Sequence, residues 1–202
     1  MPCSDGEQSG CGLKTLGWFA LVSYIPDPLA TFLDDLRREL TPGCRPRAHV
    51  TVLPPRPHHH DLEDTVRQIA GACRNVNPFR VELCNMEIFE ASQVVYLGLR
   101  EGAEPLEDLY RTLNCGPLAY RECFPYHPHI TIAQDLPAGG AAAVAAIAKK
   151  KWAGYKGPCG FEVSALSFVQ HVAPSIWMDV AVVPLGAPLG TPVGLAGDSE
   201  KV

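Results

Sequence analysis

No hydrophobic run in this chain of 202 residues is long enough to cross a membrane as a helix: Leu16 to Ile25, the longest near the start, is too short and too broken. Met1 to Gly12 lack a basic stretch followed by an apolar core, so no secretory leader is expected. Positive charge is scarce too. With 17 Lys and Arg against 22 Asp and Glu, a net charge of −5 and a pI near 5.8, the surface is unsuited to coating nucleic acid, although a pocket for one or two phosphates stays allowed. Eight cysteines are present (Cys3, Cys11, Cys44, Cys73, Cys84, Cys115, Cys123, Cys159) without one Cys-x-x-Cys. An even count suits disulfides in a short secreted chain; at this length and without a leader, reduced cytoplasmic thiols are expected. The chain is long enough to bury a core without staples, as one large domain or two small lobes.

What the chain does have is one chemical pattern twice. His49-Val50-Thr51-Val52 and His129-Ile130-Thr131-Ile132 each set a histidine and a threonine between apolar residues. Side chains alternate along a strand, so each stretch reads as a half-buried strand with an imidazole and a hydroxyl on its polar face. With seven His and 47% apolar residues, chance supplies about 0.06 copies of the pattern and about 0.002 for two, treating positions as independent. Two imidazoles with ordinary pKa values near 6.5 can hold opposite protonation states, one taking a proton while the other gives one. Each threonine can donate to a phosphoryl oxygen. The chain shows no acidic cluster for Mg²⁺ and no glycine loop for a triphosphate, which leaves metal-free attack on a phosphodiester, with no cofactor.

The elements around the motifs repeat as well. Leu16 to Ile25 reads as a strand and Pro28 to Leu40 as a helix; Arg47 to Leu53 is the first motif strand, ended by Pro54, Pro55 and Pro57. Asp61 to Asn75 is a helix capped by Asp61, and Phe79 to Phe89 a long strand. The order then recurs: strand Val94 to Arg100, helix Glu104 to Leu113, motif strand His127 to Ala133, helix Ala138 to Trp152, and Phe161 to His171 paired with Ile176 to Pro184. Corresponding landmarks lie about 76 to 82 residues apart, an internal duplication. The expected plan is a flexible N-terminus over 1–14, one bilobal domain over 15–185 with repeats at about 15–90 and 91–185, and a disordered Gly- and Pro-containing tail over 186–202.

Paired His-x-Thr motifs on a duplicated strand-helix scaffold of this length resemble the two-histidine (2H) phosphoesterases, in particular the bacterial 2′-5′ RNA ligase and cyclic phosphodiesterase branch. The resemblance spans Trp18 to Pro184, and Trp18-Phe19-Ala20-Leu21 with Pro26 looks like the family's opening aromatic strand and its proline exit. It implies an α+β, bilobal fold of duplicated β-α-β units with two antiparallel sheets around a central cleft. It also implies acid-base catalysis by His49 and His129 and phosphate binding by Thr51 and Thr131, without a metal. Two departures stand out: Ala133-Gln134-Asp135 replaces the family's basic residue after the second motif, and Leu53-Pro54-Pro55-Arg56 replaces an aromatic-glycine turn. Arg56 is the candidate for the missing positive charge. The implied reaction is hydrolysis of a 2′,3′-cyclic phosphate, or making and breaking of a 2′-5′ linkage, on a nucleotide or RNA end, by a cytoplasmic monomer with no membrane partner. Which histidine is the base stays open. A binding or sensing module for a nucleotide or cyclic phosphate, without turnover, is the alternative; two proton-transfer groups speak against it.

Further residues carry two readings each. Tyr126 and Phe124 precede the second motif and could stack on a base, or pack against the neighbouring lobe. Arg45 and Arg47 could steer a phosphate, or be solvated charges. His58-His59-His60 with His127 could hold a metal, but three adjacent histidines cannot all face one ion from a strand, and a polar loop accounts for them. His127 falls on the face of His129 and could orient it or rim the cleft, or be an ordinary strand-entry residue, and His171 reads as a core histidine.

Overall fold

A computed structural model describes residues 17–43, 47–58, 61–173, 176–187 and 194–195. The chain runs β1 (Trp18–Tyr24), α1 (Leu29–Leu40), β2 (His49–Pro57), α2 (Leu62–Cys73), β3 (Phe79–Ile88), β4 (Val95–Glu101), α3 (Ala103–Leu113), a 3-10 turn (Gly116–Leu118) and β5 (Ile130–Ala133). It continues through α4 (Ala141–Gly154), β6 (Gly160–Val163), β7 (Ala165–Ala173), β8 (Ile176–Pro184) and β9 (Gly194–Leu195). The fold is α+β, with two antiparallel sheets ordered β2-β1-β7-β8-β9 and β5-β4-β3-β6.

Each sheet draws on both halves of the duplicated chain. In the first sheet, β1 and β2 are joined by β7; in the second, β4 and β5 are joined by β3. The strand that closes each half therefore crosses into the sheet opened by the other, and sequence halves do not coincide with sheets. Helices cross as well: α1 lies against β5 and α4, while α3 lies against β2 and α2. One continuous core results, running from Phe19, Leu21, Val50 and Phe168 through Leu33, Ile69 and Leu109 to Val81, Leu97, Ile130 and Ile132. Burying that area is the main term holding the two sheets together.

Local sequence explains the ends of the elements. Asp61 caps α2 by accepting from the backbone N–H of Glu63 and Asp64, as expected. Gly102 opens α3 with φ +87, where a Cβ would lie 2.5 Å from the Arg80 carbonyl oxygen, so only glycine fits.

Four expectations need correction. Pro54, Pro55 and Pro57 do not end the first motif strand: β2 runs to Pro57, because among the described residues it is an edge strand with one side free of ladder partners and slips register against β1 between Phe19 and Val22. The second motif strand is shorter than expected, starting at Ile130 with His129 just before it. Phe161 to His171 is two strands, since the chain leaves the second sheet at Ser164 and enters the first at Ala165, so only β7 pairs with β8. Gly194–Leu195, inside the stretch expected to be disordered, pairs with Ala181 and Val182, because β8 offers it a ladder edge. Residues 1–14 and the rest of that tail from 188 on lie outside the described residues.

Candidate functional site

On β2, Val50 and Val52 are fully buried while His49 and Thr51 are only partly covered, which is the expected alternation. On the second sheet Ile130 and Ile132 are buried and His129 and Thr131 are not. His49 and Thr51 lie on the edge strand β2, Thr131 lies on the edge strand β5 with His129 immediately before it, and β2 and β5 contact each other across the seam between the sheets. The histidines are near enough that charge on His129 disfavours charge on His49.

The rings are held alike. Nδ1 of His49 lies 2.6 Å from the carbonyl oxygen of Arg47, and Nδ1 of His129 lies 2.7 Å from that of His127. A carbonyl can only accept, so Nδ1 carries the proton in each and donates, leaving Nε2 as the basic nitrogen. Burial pushes the His49 pKa down to about 4; the Arg47 carbonyl partly opposes this, and the charges of Arg37, His129 and Arg47 add to it. Burial also lowers His129, again partly opposed by its carbonyl partner, and the His127 charge lowers it further.

The surroundings of the two rings differ. His129 stands edge-on to Phe89 (4.9 Å between centroids) and Tyr96 (5.3 Å), which stack on each other at 3.9 Å. His127 stands edge-on to the same two rings, 6.4 Å from His129. Phe89 and Tyr96 were missed from the sequence; Tyr96 pairs in register with Thr131, so only the strand pairing reveals it. His49 instead faces Tyr24, whose hydroxyl donates to Asp179 and whose ring carries the Arg47 guanidinium 3.7 Å above its centroid. Arg47 also pairs with Asp179. Burial first, then the Asp179 bond, pushes the Tyr24 hydroxyl up to about 12. Arg47 thus touches the site twice, through its backbone with His49 and through its side chain with Tyr24.

Arg56 does not join them, which corrects the expectation that it replaces a missing phosphate ligand. Its guanidinium donates to Pro54 O, Asn114 Oδ1, Leu118 O and Glu122 Oε1, and the residue is 1% exposed. It fastens the 114–122 segment to β2. Tyr126 stacks on Tyr110 at 4.3 Å and donates its hydroxyl to the backbone carbonyl of Thr51, which is the packing reading of that residue. Phe124 is 59% exposed and borders a shallow depression with Tyr110, Tyr120 and Tyr126. His58 stands edge-on to the stacked rings of Phe19 and Phe168 and shares a hydrogen bond with Thr65, and among the described residues no group of three or more His, Cys, Asp or Glu could hold a metal ion. His171 is buried against Trp177. Arg45, His59 and His60 lie outside the described residues. Among the described residues no helix is long and apolar enough to cross a membrane.

A family model described as the 2′-5′ RNA ligase superfamily matches residues 25–174. The crystal structure of E. coli LigT complexed with 3′-AMP is similar over 84% of this chain and 98% of that one, with TM-score 0.60 and 18% identity. That of TT0787 of Thermus thermophilus covers 84% and 98%, with TM-score 0.59 and 17% identity. At these identities the likeness is one of fold. A candidate phosphoesterase of Oceanobacillus iheyensis is 32% identical over 76 residues, 37% of this chain and 44% of that protein. The match therefore spans less than half the length of that relative.

Proposed function

The chain belongs to the 2′-5′ RNA ligase superfamily, and from that premise we propose that it is a metal-independent phosphodiesterase acting on a 2′,3′-cyclic phosphate or a 2′-5′ phosphodiester of a nucleotide or RNA end. The observation that carries the proposal is the matched setting of His49 and His129, each with Nδ1 on the carbonyl two residues before it and Nε2 left for proton transfer. Imidazoles tethered in one tautomer are prepared to exchange protons without first reorienting.

His49, with the pKa of about 4, is neutral at physiological pH and serves as the base. Its Nε2 takes a proton from water as the water oxygen bonds to phosphorus. The bond from phosphorus to one ribose oxygen breaks, and His129, acting as the imidazolium with Nδ1–H still on the His127 carbonyl, gives its Nε2 proton to that oxygen, yielding a phosphomonoester and a free hydroxyl. The hydroxyls of Thr51 and Thr131 donate to the nonbridging oxygens as their charge builds. Run backwards with a ribose hydroxyl in place of water, the same steps make a 2′-5′ linkage.

The test is turnover of 2′,3′-cyclic nucleotides, with chelator present, by the wild type and by His49→Ala and His129→Ala. Each substitution is expected to lower kcat by about 10² to 10⁴ fold, the usual worth of a general acid or base. Unaltered turnover in either variant, or binding without product by the wild type, overturns the proposal.

A further inference from the structure

Beside the histidine site the second sheet is hollowed at Gly98, in the middle of β4. The glycine is not required by backbone conformation, since its φ is not positive, and glycine within a strand costs roughly 0.5 to 1 kcal/mol relative to alanine. What it permits is close approach over the strand: a Cβ there would sit 3.3 Å from Cys84 Sγ and 3.4 Å from Glu87 Oε1. A strand glycine of this kind marks a place where something approaches closely. The hollow encloses about 120 Å³ and is lined by Cys84, Glu87, Gly98, Glu107 and His127 among others. At ~30 Å³ for each water in the liquid, that is room for about four waters, or for the edge of a planar ring.

Two contacts connect this hollow to His129. Glu87 accepts from the Tyr96 hydroxyl through Oε2 at 2.9 Å, and Tyr96 is the ring against which His129 stands. His127, on the wall, offers its backbone carbonyl to His129. The lining is rich in acceptors. Glu87 and Glu107 are carboxylates, and Oε1 of Glu87 faces the space above Gly98. An ionised carboxylate only accepts hydrogen bonds.

We propose that this hollow binds the amino-bearing edge of the substrate's nucleobase, guanine best and uracil worst. Guanine presents two adjacent N–H donors, N1–H and the 2-amino group, to the acceptors that line the hollow, Oε1 of Glu87 and the Glu107 carboxylate. Adenine and cytosine present a single amino group beside an acceptor nitrogen. Uracil sets its one N–H between two carbonyl oxygens, which face the carboxylates with like partial charge. The proposal rests on the reading above that this chain takes nucleotide phosphodiesters, and it names the base that such a substrate carries.

Calorimetric titration of the full chain with the 3′-monophosphates of guanosine, adenosine, cytidine and uridine tests it independently of turnover. Kinetics on the four 2′,3′-cyclic counterparts run in parallel. Hydrogen bonds to a charged acceptor predict a guanosine-to-uridine affinity ratio of about tenfold or more. Glu87→Gln, which puts an amide donor where an acceptor stood, and Gly98→Ala, which fills the hollow, are each expected to bring that ratio to within about twofold. Circular dichroism reports that each variant is folded; should Gly98→Ala fail to fold, Glu87→Gln decides. A wild-type ratio near one, no measurable binding of any of the four, or a ratio that survives Glu87→Gln overturns the proposal. A preserved preference in binding with no turnover of any cyclic nucleotide supports the hollow and sinks the proposed reaction instead.

Discussion

The Tyr126 hydroxyl donates to the backbone carbonyl of Thr51 at 2.8 Å, joining the segment before the second motif to the middle of the first motif strand. Stacked on Tyr110, Tyr126 is half-buried, and burial raises the pKa of its hydroxyl, so it stays a donor across the physiological range. It is a strut between β2, which carries His49, and the segment that leads into His129. Tyr126→Phe keeps the ring and removes one hydrogen bond, which costs about 1 kcal/mol in a urea titration. Because the bond sets the spacing of the motifs, kcat is expected to fall by up to about tenfold with KM little changed.

Arg56 and Glu122 form an ion pair of 2.7 Å whose side chains are 2% and 16% exposed. Arg56→Ala leaves Glu122 without its cation, and removing one partner of a buried pair costs about 3 to 5 kcal/mol. The expected result is a large fall in the urea midpoint, with the folded fraction retaining its affinity for inorganic phosphate. Loss of phosphate affinity by a folded variant would return Arg56 to the binding role first read for it.

The histidine pKa directions set the pH profile. If His49 accepts a proton and His129 donates one, kcat/KM requires the first neutral and the second charged. The rate then rises through about 4 and falls through a value below 6.5, because His129 is also lowered. The two limbs belong to the coupled pair. A bell on the acidic side of neutrality is expected. Arg47→Ala, which removes a nearby positive charge while keeping the carbonyl that holds His49, should move the acidic limb upward.

Stability follows from the same shift. A histidine depressed on folding binds fewer protons in the native than in the unfolded chain between about 4 and 6.5, so its contribution is full above 6.5 and is lost as pH falls toward 4. Thermal melts between pH 7 and 4 should show Tm dropping across that window. His49→Gln, which cannot titrate there, should flatten the drop.

Gly102→Ala tests the start of α3. A non-glycine residue at positive φ costs about 1 to 3 kcal/mol, and the 2.5 Å approach to the Arg80 carbonyl adds to it. The expected readout is a lowered urea midpoint.

The sequence by itself determined the local facts. Alternation placed Val50, Val52, Ile130 and Ile132 in the core and left His49, Thr51, His129 and Thr131 outside it, because a strand has only two faces. Helix spacing and a capping Asp61 located the helices, and the repeat of motifs showed the duplication. Only the tertiary structure decided the rest. That β3 and β7 each cross into the other half's sheet depends on pairings between residues far apart in the chain, to which periodicity is blind. Arg56 read as a free cation because nothing local announces Asn114 or Glu122, 58 and 66 residues on. Phe89 and Tyr96 beside His129, Tyr24 beside His49 and the hollow at Gly98 depend likewise on strand register and on how the sheets approach. Chemistry that resides in one residue type can be read along the chain, whereas chemistry made by several residues meeting exists only once the chain has folded.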